Sequence, residues 1–218
     1  MLVAETSRAG LHPAITGNEP SGAQLFARAF ARHGITVAFG QSIPSLFHLV
    51  APSHGITQAV YRTENAGGAM ADAYARVTNR VALVTAQNGP AATLLVAPLA
   101  EALKVSVPVI ALVQEITPDM ADRNAFQELD HFALFSGVAK WVRRVDDIER
   151  IDDYVDMAVT MATTGRPGPV VLLAPGHILA GIAKSEPVRR AQMGGFPLDR
   201  VAPDGEAVAR AMQGVRAI

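Results

Sequence analysis

The 218-residue sequence contains no cysteine, which excludes disulfide bonds and thiolate metal or redox sites. Charged residues make up only 18% of the chain and hydrophobic residues 50%. A chain so rich in apolar residues and so poor in charge folds around a core instead of remaining disordered. The 19 basic and 20 acidic residues nearly cancel. No strong field of one sign therefore attracts nucleic acid or an anionic membrane, and neither is expected as a partner.

Long hydrophobic runs are also missing. No stretch approaches the roughly 20 apolar residues that a transmembrane helix needs, and residues 1–20 lack the apolar centre of a signal peptide. The sequence has no GxxxxGK[ST] loop, no GxGxxG after a predicted strand, no GxSxG and no HExxH. These absences argue against a P-loop, a dinucleotide fold, a serine hydrolase elbow and a zinc protease. We expect a cytoplasmic protein.

What is present is an alternation of short apolar runs with helical segments. Strands are expected over 35–39, 58–62, 81–86, 107–114, 139–145 and 170–174, the fifth as an exposed edge. Helices are expected over 21–33, 44–51, 64–76, 90–103, 125–135 and 148–163, the fourth kinked at Pro98. Nearly continuous apolar strands are covered on both faces. The pattern therefore predicts an α/β fold, a three-layer α/β/α domain with a mainly parallel sheet.

The composition along the chain predicts three regions. Residues 1–20 are expected to form a flexible N-terminal lead, and residues 21–179 the α/β domain. Residues 180–218 are rich in proline and glycine before a short helical piece. We interpret this last region as a linker and the start of a central domain that the chain does not contain.

Four segments near predicted strand ends carry unusual residues: FGQSIP at 39–44, RTENAGGAMADAYAR at 62–76, NGPAATL at 88–94 and AFQELD at 125–130. They resemble motifs of the N-terminal pyrimidine-binding domain of thiamine diphosphate-dependent enzymes, in the acetolactate synthase-like branch. That family reads RHEQGAAxxADGYAR, SGPGATN and AFQExD in the same order. The resemblance covers about residues 21–179.

The resemblance assigns roles to particular residues. In that family the glutamate at the position of Glu64 hydrogen-bonds N1′ of the aminopyrimidine and promotes loss of the proton from thiazolium C2. Glu64 is therefore implied to be both catalytic and cofactor-binding. Phe126 and Gln127 are implied to lie in the substrate pocket. The remaining implied cofactor-binding residues are Gly40, Gln41, Gly89, Pro90 and, again, Gln127.

The residues around Glu64 agree with this role on physical grounds. Glu64 follows a predicted strand and begins a helix, where a first-turn acid favoured by the helix dipole is the alternative interpretation. Gly67 and Gly68 each cost about 1 kcal/mol relative to alanine in a helix. That cost predicts the close approach of a flat ring or of a neighbouring subunit's backbone.

Other polar residues have plainer interpretations. The pattern of Asp72, Tyr74 and Arg76 indicates packing and surface pairing within one helix. The pair Arg143 and Arg144 indicates a solvent-exposed strand edge.

The resemblance implies a lyase or carboligase that uses thiamine diphosphate on a small 2-oxo acid and works as a homo-oligomer. Mg²⁺ would be held by a C-terminal domain that this chain lacks, so the chain alone is expected to be an inactive fragment. FAD is possible in the intact enzyme but is not indicated by this sequence. The family's histidine and asparagine are Thr63 and Leu94 here, and its FGxPG turn is altered. These departures leave a 2-oxo acid decarboxylase or a 2-hydroxyacyl-CoA lyase open, and a non-catalytic interaction or regulatory module remains the alternative.

Overall fold

A computed structural model describes residues 19–184 and 203–215. Six strands form one sheet in the order β2-β1-β3-β4-β6-β5, and every neighbouring pair is parallel. The prediction of a mainly parallel sheet is confirmed. The strands are β1 Val37–Phe39, β2 Thr57–Ala59, β3 Ala82–Ala86, β4 Val109–Glu115, β5 Trp141–Arg144 and β6 Val170–Pro175.

Nine α-helices occur in the described residues: α1 Gly22–Arg32, α2 Ser45–Val50, α3 Glu64–Thr78, α4 Pro90–Leu94, α5 Val96–Val105, α6 His131–Phe135, α7 Ile151–Thr163, α8 Gly176–Ala180 and α9 Gly205–Val215. Short 3₁₀ turns precede β2 and α7 and follow β4. None of these helices is long and apolar enough to cross a membrane.

The strands bury side chains on both faces, which divides the core into two clusters. Because successive side chains of a strand point to opposite faces, Leu83 of β3 lies in one cluster and Val84 in the other. Helices α1, α2, α7 and α8 cover the first face, and α3 to α6 cover the second. The three-layer α/β/α architecture predicted from the sequence is confirmed.

Local sequence signals account for several helix starts. Ser21 caps α1, where its hydroxyl accepts from the backbone of Gln24 and the Gln24 side chain accepts from the backbone of Ser21. Helix α3 ends at Asn79, which adopts the left-handed conformation that often closes a helix. Asp130 caps α6 by accepting from the backbone of Ala133.

The predicted helix over 125–135 is wrong in its first half. Only His131–Phe135 is helical, because Asn124 and Gln127 have positive φ. The Glu128 carboxylate accepts hydrogen bonds from the backbone of Asp122 and Ala125 at 2.6 and 2.9 Å, which closes a loop instead.

Other boundaries also differ from the prediction. The helix expected over 90–103 is divided at Leu95, and Pro98 lies in the first turn of α5, where no intrahelical N–H is needed. Strand β2 ends at Ala59, earlier than expected, and Tyr61 is buried beyond it. Glu115, one residue beyond the strand expected over 107–114, is the buried last residue of β4.

The chain beyond the sheet returns to its beginning. Ile182 forms an antiparallel bridge with Ser21, and Ala183 donates to the carbonyl of Pro20 at 3.0 Å. Residues 1–18 of the expected lead and residues 185–202 of the expected linker lie outside the described residues. Helix α9 falls in the region 180–218, and its described side chains are all exposed.

Candidate functional site

The topology marks one edge of the sheet as a ligand site. Strand β1 lies between β2 and β3, so the chain turns to one side after β1 and to the other after β3. In open α/β sheets ligands bind beyond the carboxyl ends of the strands at such a reversal. Gly40 follows β1, Asn88 and Gly89 follow β3, and Glu64 begins the helix after β2. The sequence-predicted residues therefore lie at one edge of the sheet.

Glu64 is the first residue of α3 and is partly buried. Its neighbour Thr63 supplies no side-chain cap to the helix. The Glu64 carboxylate acts by its charge on the buried phenol of Tyr61. Burial first, and then the negative charge of Glu64, raise the pKa of Tyr61, while a hydrogen bond with the backbone of Gln41 opposes them.

Tyr61 and Pro98 explain why α3 contains a pair of glycines. The Tyr61 hydroxyl donates to the carbonyl oxygen of Thr85 at 2.6 Å, which fixes the ring under the helix. A Cβ on Gly67 would lie 2.2 Å from Tyr61 Cδ1, and a Cβ on Gly68 would lie 2.4 Å from Pro98 Cγ. The flat ring expected beside these glycines is thus a side chain of the same chain, and the second close approach comes from its own α5.

Gly40 adjoins a second buried polar pair. His48 Nε2 lies 2.8 Å from Thr85 Oγ1, and a Cβ on Gly40 would lie 2.3 Å from that same oxygen. Burial lowers the pKa of His48 to about 4, so the ring is neutral at pH 7. The exposed Gln41 donates to the carbonyl of Arg62 at 3.2 Å and so links the loop after β1 to the approach to α3.

Gly89 and Gln127 are in direct contact. Gly89 has φ +63°, and a Cβ there would lie 2.6 Å from the carbonyl oxygen of Gln127. The buried Asn88 amide donates to the carbonyls of Phe126 and Gln127, both at 3.1 Å. Gln127 itself has φ +60°, and its buried Oε1 has no hydrogen-bond partner within residues 19–184 and 203–215. Pro90 is exposed at the start of α4, and Phe126 is 77% exposed.

The sequence analysis missed a buried network behind this turn. The backbone N–H of Gly89 donates to His131 Nε2 at 3.0 Å, and His131 Nδ1 lies 3.0 Å from Glu115 Oε1. Arg144 Nε lies 2.5 Å from Glu115 Oε2. Arg143 is exposed as expected, but Arg144 pairs with a buried acid and does not form a merely solvated edge. The signal in the sequence that could have indicated this network is Glu115, an acidic residue at the end of an apolar strand.

The residues of α3 with plainer interpretations behave as predicted. Arg76 pairs with Asp72 at 2.7 Å, one helical turn apart, and with Glu101 of α5 at 3.3 Å. The ring of Tyr74 packs edge-on against Phe39. These contacts hold α3 on the sheet and against α5.

In chemical terms this edge of the sheet offers hydrogen-bond acceptors. Glu64 contributes a carboxylate, and Gln127 contributes a buried amide oxygen to which no group in the described part of the chain donates. Such groups suit a planar ligand with ring nitrogens and N–H donors. No group of three His, Asp or Glu side chains in the described residues could hold a metal ion.

Comparison with known proteins agrees with this geometry. A family model described as "Thiamine pyrophosphate enzyme, N-terminal TPP binding domain" matches residues 20–134, just over half of the chain. "Acetolactate synthase, mitochondrial" of Schizosaccharomyces pombe is 30% identical over 171 residues, which cover 77% of this chain and 25% of that protein. "Acetolactate synthase" of Mycobacterium bovis is 34% identical over 167 residues, 74% of this chain and 26% of that protein.

A plant protein shows the same relation. "Acetolactate synthase, chloroplastic" of Arabidopsis thaliana is 32% identical over 165 residues, 74% of this chain and 25% of that protein. The chain thus spans about a quarter of the length of these relatives. It belongs to the thiamine pyrophosphate enzyme family, as a chain that contains the N-terminal TPP binding domain.

Proposed function

We propose that the chain supplies the aminopyrimidine-binding half of the active site of an acetolactate synthase-like lyase or carboligase that acts on 2-oxo acids. Support comes from the family match and from relatives with the printed name acetolactate synthase. The observation that carries the proposal is the place of Glu64. It is a partly buried carboxylate at the start of α3, beside the reversal of strand order.

The residues present fit an aminopyrimidine in kind. Glu64 would face a ring nitrogen, and the unpartnered Gln127 Oε1 would accept from an N–H of the ligand. Gly40, Gln41, Gly89 and Pro90 border the same edge of the sheet. When bound, thiamine diphosphate supplies a nucleophilic carbon and an electron sink for cleavage beside a carbonyl.

Glu64 would hold a proton at the pyrimidine nitrogen and so control the protonation of the ring. A positioned carboxyl group of this kind can exchange a proton with its ligand. The buried Tyr61, which is fixed on Thr85, supports the first turn of the helix that carries Glu64.

The test is hydrogen–deuterium exchange at thiazolium C2 in the complete protein loaded with cofactor. Glu64→Gln keeps the shape of the side chain but cannot hold or release the proton. We expect exchange to slow by at least ~100-fold, the usual contribution of a positioned acid–base group. Folding should be nearly unchanged, since one polar group replaces another.

Glu206→Gln is the matched control. Glu206 lies in the first turn of α9, and its exposed side chain pairs with Arg210 at 3.7 Å. It is a helix-start acid outside the site, so its loss should leave the exchange rate unchanged. If Glu64→Gln exchanges as fast as the parent, Glu64 is only a favourable helix-start charge and the proposed role is wrong.

The diphosphate and its Mg²⁺ are proposed to be held outside the described residues, in agreement with the lack of a metal-ligating group there. The chain alone would then be inactive. FAD is not part of the proposal. The 2-oxo acid substrate, and with it the choice between a carboligase and a 2-oxo acid decarboxylase or 2-hydroxyacyl-CoA lyase, depends on surfaces beyond this chain. Cytoplasmic location stays a prediction, since named relatives include mitochondrial and chloroplastic proteins.

We further propose self-association through the layer of α3, α4 and α5. This layer exposes large apolar side chains, and such surfaces mark association sites. They are Met70 at 37%, Val77 at 87%, Leu94 at 44% and Val105 at 41% exposure.

Light scattering should show an oligomer that Met70→Lys weakens. Met120→Lys replaces a methionine of similar exposure, 43%, in the turn after β4 and should not weaken it. A strict monomer at high protein concentration would contradict the proposal.

A further inference from the structure

We propose that His131 is a positioning residue of the candidate cofactor site: as a neutral ring with its proton on Nδ1, it fixes the turn at Gly89 against Gln127. This inference rests on the proposed function, because the turn borders the surface where the aminopyrimidine would bind. His131 is only 2% exposed. It lies outside the four motifs, directly after AFQELD. It acts through the backbone of Gly89 and touches no reacting atom.

The hydrogen bonds of His131 determine its tautomer. A peptide N–H can only donate, so the 3.0 Å contact from Gly89 requires a lone pair on Nε2. Glu115 Oε1, 3.0 Å from Nδ1, can serve as an acceptor, so Nδ1 carries the proton. One neutral tautomer satisfies both contacts, and the ring packs against Phe135 in a stacked arrangement.

Arg144 binds the same buried carboxylate from its other side. Arg144 binds both oxygens of Glu115, through Nε at 2.5 Å and Nη2 at 3.3 Å. Burial alone would raise the pKa of Glu115, but hydrogen bonds from His131 and Arg144 outweigh it and hold that pKa below its ordinary value. Glu115 thus has a cationic partner in Arg144 in addition to its hydrogen bond with His131.

Two further acids act by charge on Arg144. Asp130 caps α6, and Asp146 follows β5. The hydrogen bond with Glu115 raises the pKa of Arg144, and the charges of Asp146 and Asp130 add to this effect, while burial opposes it. If His131 did take a second proton, Nε2–H would point at Gly89 N–H, and two donors would face each other. The turn would then lose its anchor and gain a repulsion.

A displacement of the turn at Gly89 would also displace residues of the candidate site. Gly89 holds a positive φ that only glycine adopts easily, and its Cα surface lies against Gln127. Asn88 donates to the carbonyls of Phe126 and Gln127, so the two loops are joined at several points. A shift of Gly89 therefore moves Gln127, whose buried Oε1 has no partner among the described residues and is the acceptor proposed for the ligand.

The direct test is nuclear magnetic resonance on the complete protein with ¹⁵N-labelled histidine and glycine. We expect the ¹⁵N shifts of His131 to report an unprotonated Nε2 and a protonated Nδ1 at neutral pH. A scalar coupling between Gly89 N and His131 Nε2 should appear across the hydrogen bond. A protonated Nε2, or the absence of that coupling, would overturn the inference without any variant having to fold.

Two substitutions separate positioning from general damage. The amide of His131→Gln reaches the position of Nε2 and can accept from Gly89. The amide of His131→Asn reaches only the position of Nδ1. We expect His131→Asn to speed hydrogen exchange of the Gly89 amide and to weaken cofactor binding, each by about tenfold, as the loss of one buried hydrogen bond implies. His131→Gln should stay close to the parent in both, and thermal unfolding checks the fold.

The outcomes distinguish this inference from the proposed function. If the unchanged protein does not bind thiamine diphosphate while the coupling is present, the proposed function fails and the hydrogen bond stands. If the unchanged protein binds the cofactor but the Asn and Gln variants bind it equally well, His131 does not position the site and the inference is wrong.

Discussion

Gly40 lacks a side chain because the neighbouring space is filled by the hydrogen-bonded pair His48 and Thr85. A methyl group there would lie 2.3 Å from Thr85 Oγ1 and from His48 Cε1, well inside contact distance. Its glycine identity is therefore explained by the protein's own packing, with no need of a ligand. His48 is 8% exposed, and its buried Nδ1 has no hydrogen-bond partner among the residues that the structure describes. A charged ring could not be accommodated there at low cost.

This burial predicts a pH dependence of stability. The pKa of His48 is about 4 in the folded chain and 6.5 in an unfolded one. The unfolded state therefore binds more protons between these values, so stability is present above pH 6.5 and is lost as the pH falls towards 4. From pH 7 to pH 5 this group alone should cost roughly 2 kcal/mol of the free energy of unfolding.

Chemical denaturation at both pH values measures this loss. His48→Gln, which can still reach Thr85 but does not titrate, is the reference variant and should lose about 2 kcal/mol less over the same interval. Equal losses in parent and variant would show that His48 is not held neutral.

Helix α3 was predicted from the sequence, but the residues that pack against its glycines were not identified. Its bounds and its acid at the first position follow from the sequence, and so does the expectation of a close neighbour at Gly67 and Gly68. The identity of that neighbour does not, because it depends on a long-range contact. Tyr61 folds back under the helix, and Pro98 arrives from α5.

We predict that Gly67→Ala destabilises the chain although alanine is the better helix former. Helix propensity favours alanine by about 1 kcal/mol, but the new methyl group would lie 2.2 Å from a ring that is anchored on Thr85. Overpacking of this kind costs about 1–3 kcal/mol, so the net change should be a loss.

The control for this helix substitution is Gly214→Ala in α9, where a Cβ would meet nothing within 4 Å. Thermal unfolding should show a lower midpoint for Gly67→Ala than for the parent and an unchanged midpoint for the control. Equal behaviour of the two variants would mean that the Tyr61 ring yields freely.

Among the elements, β3, β4 and β6 were the easiest to predict, because each is a short apolar run that is buried along almost its whole length. The loop over 116–130 was the hardest. Its fold depends on Glu128, which accepts from two backbone groups, and on two residues of positive φ, none of which has a periodic signal. The network of Glu115, His131 and Arg144 joins residues far apart in sequence and could be found only in three dimensions.

At the scale of the whole molecule, the carboxyl edge of the sheet carries two polar groupings on either side of β3. Tyr61, His48 and Thr85 lie towards β1, with Glu64 beside them. Asn88, Gly89 and Gln127 lie towards β4. Neither grouping includes a metal-ligating cluster in the described part of the chain. The described residues therefore offer polar groups for the heterocyclic end of a cofactor and no cluster of acids and histidines that could hold the metal ion of its phosphates.

This division predicts how the chain alone should treat two ligands. Thiamine and thiamine diphosphate share the aminopyrimidine and differ in the phosphates, whose contacts are charge-assisted and strong wherever they exist. If this chain contacts only the pyrimidine, calorimetry should give both ligands the same weak affinity, and adding Mg²⁺ or a chelator should change neither. Glu64→Gln should weaken both ligands alike, because it removes a partner of the shared ring. A sub-micromolar, magnesium-dependent preference for thiamine diphosphate would contradict this division, because the chain would then hold a phosphate site of its own.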